Sequence, residues 1–251
     1  MGIERLAPRH VARMRAAGRA AAATLAHVAA HLRPGMSTAE LDRLVREDTA
    51  RRGARPSQLG YHGFPAAVCT SRNDVVCHGI PRDDERLEAG DIIAVDVTSE
   101  LDGWHGDTCA TFAIGEPSPE ARHVLEVARR CRDAGIAAVR DGVRVGDVGA
   151  VIEALAAREG CGIVREVGGH GIGRAMHLPP HIEHFGPPGR GPRLRAGMAI
   201  TIEPIVTLGP ARVRLDADGW TMRTLDGSPS AQFEHTVVVT PTGCEVLTPP
   251  P

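Results

Sequence analysis

Apolar positions recur at helical spacing in four stretches of the chain and alternate or run together elsewhere. An Arg- and Ala-rich helix is predicted over residues 8–32, stopped by Pro34-Gly35. Ser37-Thr38-Ala39-Glu40 has the capping-box pattern and opens a second helix that reaches about residue 52. Alternating and β-branched residues over 65–80, around Asn73-Asp74, read as a hairpin. Residues 92–98 and 104–114 read as strands joined by the turn dipeptide Asp102-Gly103. The order then repeats. Ser118-Pro119-Glu120 starts a helix to about residue 140, and a fourth runs over 147–158 and ends at Gly160. Strands are expected over 164–167, 199–206, 212–215 and 233–240, with Gly186-Pro187-Pro188-Gly189 as a loop. Helices then strands, twice over, argue for an α+β fold with antiparallel sheet.

Two stretches repeat each other at one separation. Leu87-Glu88-Ala89-Gly90-Asp91-Ile92-Ile93-Ala94-Val95-Asp96 aligns with Leu194-Arg195-Ala196-Gly197-Met198-Ala199-Ile200-Thr201-Ile202-Glu203. Upstream, Arg33-Pro34-Gly35-Met36 aligns at the same spacing with Arg140-Asp141-Gly142-Val143. The reading is a single domain over residues 1–251 built from two related halves, about 8–115 and 116–245. Each repeated strand ends in an acid, which is costly to bury unless a cation meets it. Two such acids in duplicated positions suggest halves that face each other across a metal site.

The hairpin sharpens that expectation. A turn at Asp102-Gly103 sets Asp96 opposite Cys109 and Thr98 opposite Asp107, all on one face. The two aspartates are then diagonal neighbours, with Cα atoms roughly 7–8 Å apart, close enough to share one or two cations. The apolar Ile92–Val95 run argues against two merely solvated surface acids. Gly168–Gly173 presents His170 among glycines, Thr201-Ile202-Glu203-Pro204 ends in an acid, and Gln232-Phe233-Glu234-His235-Thr236 opens a β-branched run. Four carboxylates and one imidazole favour Mn, Fe(II) or Co over a thiolate-type structural zinc. A two-metal site can lower the pKa of water and stabilise the tetrahedral oxyanion formed from a peptide carbonyl.

Composition narrows the partners. A formal charge of −2 supplies no electrostatic reason to bind DNA or an anionic membrane, and every basic residue is Arg. Six cysteines show no paired-ligand or small-domain disulfide spacing, so reduced thiols and a cytoplasmic location are expected. No signal-peptide core or bilayer-length apolar run occurs, and nothing argues for assembly beyond a monomer.

HGIP at 78–81, DVT at 96–98, HGDT at 105–108, GHGIG at 169–173, TIEP at 201–204 and QFEHT at 232–236 occur in that order across nearly the whole chain. Together they resemble methionine aminopeptidases of type I, in the bacterial-like short form. The resemblance implies the pseudo-twofold "pita-bread" (creatinase/aminopeptidase) fold, a curved antiparallel sheet flanked by helices. It implies metal-dependent removal of the initiator methionine from nascent proteins and peptides, preferring a small second residue. Two divalent ions (Co, Mn or Fe(II), with Zn admissible) would be held by Asp96, Asp107, His170, Glu203 and Glu234. Asp107 and Glu234 would bridge them, with Asp96 on one ion and His170 and Glu203 on the other. Whether Glu203 or Glu234 exchanges protons with the attacking water stays open. His78 and His177 match the substrate-facing histidines. Tyr61, Phe64, Cys69, Met176 and Trp220 match the methionine pocket, whose aromatic and sulfur groups suit a thioether.

The family pattern is not matched throughout. Asp74 stands where Glu is usual, and Leu178-Pro179-Pro180 follows His177 where acids before a single proline are usual, which bears on second-residue tolerance. Only 30 residues separate Glu203 from Glu234, too few for the helical insertion of type II enzymes. His177, His181 and His184 are not a zincin pair, because Pro179-Pro180 forbids the helix. Arg190, Arg193 and Arg195 are candidate contacts to ribosomal RNA, with a solvated loop as the plainer reading. Two alternatives compete: a proline-specific peptidase of the same fold, which usually carries a large N-terminal domain, and a non-enzymatic binding protein, which would be expected to lose ligands.

Overall fold

The computed structural model describes residues 3–249. The first half runs α1 (Pro8–Ala29), α2 (Thr38–Arg51), β1 (Arg55–Pro56), β2 (Cys69–Arg72), β3 (Val75–Cys77), β4 (Ile92–Leu101) and β5 (Trp104–Ala113). The second opens with α3 (Pro119–Ala138) and α4 (Val145–Arg158), then β6 (Cys161–Ile163), β7 (Gly169–Gly171), β8 (Leu178–Ile182), β9 (Ala199–Ile202) and β10 (Ile205–Leu208). It ends with β11 (Val213–Leu215), β12 (Met222–Thr224), β13 (Ser230–Gln232), β14 (His235–Val239) and β15 (Cys244–Val246). Helix starts follow the local chemistry. Ser37 Oγ accepts the Glu40 N–H at 3.2 Å while Glu40 accepts the Ser37 N–H at 2.7 Å. Ser118 Oγ accepts the Ala121 N–H ahead of Pro119.

Among the described residues every strand pairing is antiparallel. β4 lies between β2 and β5, and the β4–β5 register sets Asp96 opposite Cys109 and Thr98 opposite Asp107, as the turn dictates. The second large sheet is ordered β15-β14-β9-β7-β8. One core packs α3 and α4 through Val124, Val127, Cys131, Val148 and Ile152 onto Ile200, Ile202 and Val237. Another packs Leu25, Val28, Leu41 and Val45 of α1 and α2 onto Ile93, Val95 and Val97 of β4. A third joins the ends of the chain, with Leu6, Met14 and Trp104 against Ile172, Ala199, Val238 and Leu247.

The expected hairpin at 65–80 is different in kind. β2 and β3 flank the Asn73-Asp74 turn, yet β2 pairs with β4 and β3 with β12. The strand expected over 164–167 lies earlier, at β6. The single strand expected over 199–206 breaks at Glu203-Pro204 into β9 and β10, which join different sheets. Pro204 has no N–H to continue a ladder. GHGIG contributes β7, and the proline-bearing β8 pairs with it, neither having an alternating pattern to announce it.

Hydrogen bonds recur at the spacing of the sequence repeat. Gly35 N–H donates to Leu87 O at 2.7 Å, Leu87 N–H to Met36 O at 2.8 Å, and the Arg86 guanidinium to Gly35 O at 2.8 Å. In the second half Gly142 donates to Leu194 O at 2.9 Å, Leu194 to Val143 O at 2.7 Å, and Arg193 to Gly142 O at 2.8 Å. Gly35 and Gly142 share a left-handed backbone, φ +84° and +85°. A second close fit sits beside the centre of the molecule. α1 crosses β5 at Gly18 and Gly106, where a Cβ on Gly106 would lie 2.4 Å from Gly18 N. Helix backbone thus touches the strand one residue before Asp107.

Candidate active site

A cavity of about 430 Å³ opens between the halves, and all twelve residues singled out in the sequence line it. β4 and β5 deliver Asp96 and Asp107; β7, the end of β9 and the start of β14 deliver His170, Glu203 and Glu234. Oxygens of Asp107 and Glu234 and a ring nitrogen of His170 lie within 4.8 Å of one another. His170 Nε2 is 3.5 Å from Glu203 Oε1 and 3.8 Å from Asp107 Oδ2. Its Nδ1 is 3.0 Å from Gly171 O. A proton on Nδ1 satisfies that carbonyl and turns the Nε2 lone pair toward the acids, as a metal ligand requires. Burial, then the neighbouring His177, lowers the His170 pKa to about 3, so the ring is neutral.

The carboxyls resist ionisation where they stand. Burial pushes Asp107 up to about 6 and Glu203 up to about 8. Burial and mutual repulsion push Asp96 and Glu234 well above the usual range. Glu234 Oε1 is buried with no hydrogen-bond partner among the described residues. An orphaned acceptor amid four acids and a neutral imidazole is the donor set of divalent cations, and the residues fit such ions.

Further side chains orient these groups. Thr98 Oγ1 donates to Asp107 Oδ1 at 2.7 Å and Gln232 Nε2 to Glu203 Oε2 at 3.2 Å. Thr201 Oγ1 donates to Glu203 Oε1 at 2.6 Å and accepts the His170 N–H at 2.9 Å. Gln58 Nε2 donates to the Asp96 carbonyl at 3.0 Å, and His184 Nε2 accepts the Glu203 N–H at 3.1 Å. Sequence reasoning named none of the five as site residues. Thr98, Thr201 and Gln232 each stand two residues from a candidate ligand inside a quoted motif, so strand alternation carried a signal for them. Gln58 and His184 had none.

The rest of the cavity is aromatic, sulfur-bearing and imidazole-lined. Tyr61 OH and His177 Nδ1 are 2.7 Å apart, and the His177 and His170 rings are 4.2 Å apart. Phe64 meets Trp220 edge to face at 5.2 Å, with His78 6.3 Å from the same indole. His78 has φ +55°, and the Gly79 that follows admits no Cβ, which would fall 2.0 Å from Thr70 O. Burial lowers the pKa of His78, and partial burial that of His177. His181 also lines the cavity, while His184 sits behind Glu203. The three histidines 177, 181 and 184 are therefore spread along an extended segment, as the prolines require. Arg193 braces Gly142 and Arg195 faces Asp141 at 3.6 Å.

Residues 12–241 match the model of metallopeptidase family M24. The chain is 48% identical over 243 residues to methionine aminopeptidase A of Synechocystis sp., covering 97% of this chain and 96% of that protein. It is 42% identical over 249 residues to methionine aminopeptidase of Escherichia coli K12, covering 99% and 94%. The crystal structure of methionine aminopeptidase from Rickettsia prowazekii superposes with a TM-score of 0.97 at 40% identity, covering 99% of this chain and 100% of that one. Prolidase from Pyrococcus furiosus shares the fold, with a TM-score of 0.80 at 19% identity, and this chain covers 65% of it.

Proposed function

The chain belongs to metallopeptidase family M24, and from that premise we propose how its cavity removes N-terminal methionine. It is a metalloaminopeptidase that uses divalent metal; a proline-specific or non-enzymatic reading is not favoured by relatives of this similarity. In our reading Asp96, Asp107, His170, Glu203 and Glu234 would hold two ions, Mn, Fe(II), Co or Zn. When bound, those ions supply Lewis acidity toward the peptide carbonyl and water activated at neutral pH.

The remaining steps belong to this chain's own groups. Glu203, ionised in the loaded site, takes the proton of the attacking water and passes it to the leaving amine. Tyr61 OH lies 2.7 Å from His177 Nδ1; our reading makes the hydroxyl the donor, which puts the ring proton on Nε2, facing the developing oxyanion. His78 hydrogen-bonds the scissile amide. Tyr61, Phe64, Cys69, Met176 and Trp220 hold the thioether and exclude water. We read the chain as one catalytic domain of two related halves, about 8–115 and 116–245, supported by the hydrogen bonds that recur at the repeat spacing. The same reading makes it a cytoplasmic monomer acting on nascent chains at the ribosome.

The observation that carries the reading is that one cavity holds a metal-ligand cluster and a thioether-suited wall together. The test is methionine release from a Met-Ala-leading peptide after chelation and stepwise return of Mn, Fe(II), Co or Zn, with Met-Pro- and Leu-leading peptides alongside. Metal-dependent release restricted to methionine is expected. Bound metal without release would favour a binding protein, and preference for proline in second position a proline peptidase.

A further inference from the structure

A second cavity, of about 350 Å³, lies between the first turn of α1, the β4–β5 turn and the segment after β7. Arg9, His10, Arg13, Asp102, Trp104 and Arg174 line it, none of which lines the first. Three guanidinium groups face a single carboxylate, and Arg13 already engages that one at 3.2 Å. Arg9 Nε donates to His10 Nε2, and Arg174 lies over the Trp104 ring at 4.6 Å. Neither Arg9 nor Arg174 has an ion-pair partner among the described residues; the nearby Glu4 carboxylate stays by Gly173 without pairing to Arg174. The charge imbalance is therefore built from three separate elements.

Two features make this more than a solvated basic face. Trp104 is 2% exposed, and its indole N–H, which is not an orphaned buried donor, makes no hydrogen bond to the described residues. α1 also starts at Pro8 with no side-chain cap and no acid in its first turn, so its positive end adds to the guanidinium field instead of being offset.

We propose that this cavity binds a phosphate-type dianion, either inorganic phosphate or the terminal phosphate of a small metabolite, held by Arg9, Arg13 and Arg174 with the Trp104 indole N–H. Forked donors from three directions suit a tetrahedral anion with several acceptor oxygens; a carboxylate would occupy only one fork. The volume leaves room for a modest organic group beyond the phosphate.

The chain has only two tryptophans, one in each cavity, which makes the test specific. Indole N–H resonances of the zinc-loaded protein would be followed during titration with inorganic phosphate and, separately, glycerol phosphate, with chloride at matched ionic strength as the control. Trp220→Phe assigns the two signals by deletion. The Trp104 signal should move saturably with at least one phosphate, and the arm that saturates at lower concentration names the source. Arg9→Gln combined with Arg174→Gln should weaken that saturation at least tenfold while methionine release is retained. No movement of Trp104, equal movement with chloride, movement of Trp220 alone, or saturation unchanged in the double variant would each overturn the proposal. The readout does not depend on peptide cleavage, so it stands or falls apart from the aminopeptidase reading.

Discussion

Thr201 shows how much one hydroxyl can set. It donates to Glu203 and accepts from the His170 backbone, so a single side chain aligns two candidate ligands from neighbouring strands. Thr201→Val keeps the shape and removes both bonds. Metal affinity should fall about 10–100-fold with the fold retained, as losses of orienting partners typically do; competition with a fluorescent chelator measures it, and a change below threefold would contradict the role. Tyr61→Phe should lower kcat for Met-Ala peptides about tenfold or more, with metal content unchanged, because His177 loses the partner that fixes its tautomer. Steady-state kinetics beside metal analysis separates these. At this scale the sequence was readable wherever a residue alternates with an acid on its own strand. Gln58 and His184 reach Asp96 and Glu203 from segments with no periodic link to those strands, so only the folded chain joins them.

Elements were legible where their boundaries are local chemistry. The Ser37 box, the Ser118-Pro119 start and the Asp102-Gly103 turn act within a few residues, and the β4–β5 register follows from the turn alone. Pairing across distance was not. Asn73-Asp74 announces a reversal but says nothing of which partners β2 and β3 take, and sheet contacts far along the chain decide that. The strand over 199–206 looked continuous because apolar character persists across Pro204, whereas the missing N–H ends one ladder there. The α1–β5 crossing carries its own prediction. A methyl at Gly106 meets helix backbone, which cannot rotate away as a side chain would. Gly106→Ala should destabilise by at least ~1–3 kcal/mol, the usual cost of overpacking, and should loosen metal binding because Asp107 is next in the strand. Denaturant unfolding of the metal-free and metal-loaded protein measures both, and an unchanged midpoint would refute the contact.

Across the whole molecule the ligand candidates divide between the halves: Asp96 and Asp107 from the first, His170, Glu203 and Glu234 from the second. This division was foreshadowed by two repeated strands ending in acids, whereas the core that ties Met14 and Trp104 to Val238 and Leu247 left no mark in the pattern. Without metal, buried acids oppose folding as pH rises. Below the ordinary values of 3.8 and 4.5 they are protonated in folded and unfolded chain alike. Above them the folded chain keeps its protons, on Asp107 to about 6 and on Glu203 to about 8, while the unfolded chain has lost them. Buried histidines, lowered from 6.5, act with the opposite sign below that value. Stability of the chelated protein should therefore fall between about pH 7 and pH 8, where they are neutral in both states and Glu203 still holds its proton in the fold. Metal at 100 times its Kd should restore about 2.7 kcal/mol, with proton release on binding near neutral pH. Melting curves across that range test it; a flat profile for the chelated protein would count against the buried acids.

A centre assembled from residues as far apart as Asp96 and Glu234, under a core closed by Leu247, also has a history in time. A copy still being translated has no Glu234 until most of its length is made, and no Glu245 of β15 for Arg15 of α1 to pair with. On the proposed ligand set it is silent until Glu234 is in place. Any trimming at the leading end of a growing copy falls to molecules finished earlier, so each generation of this enzyme is prepared by the one before.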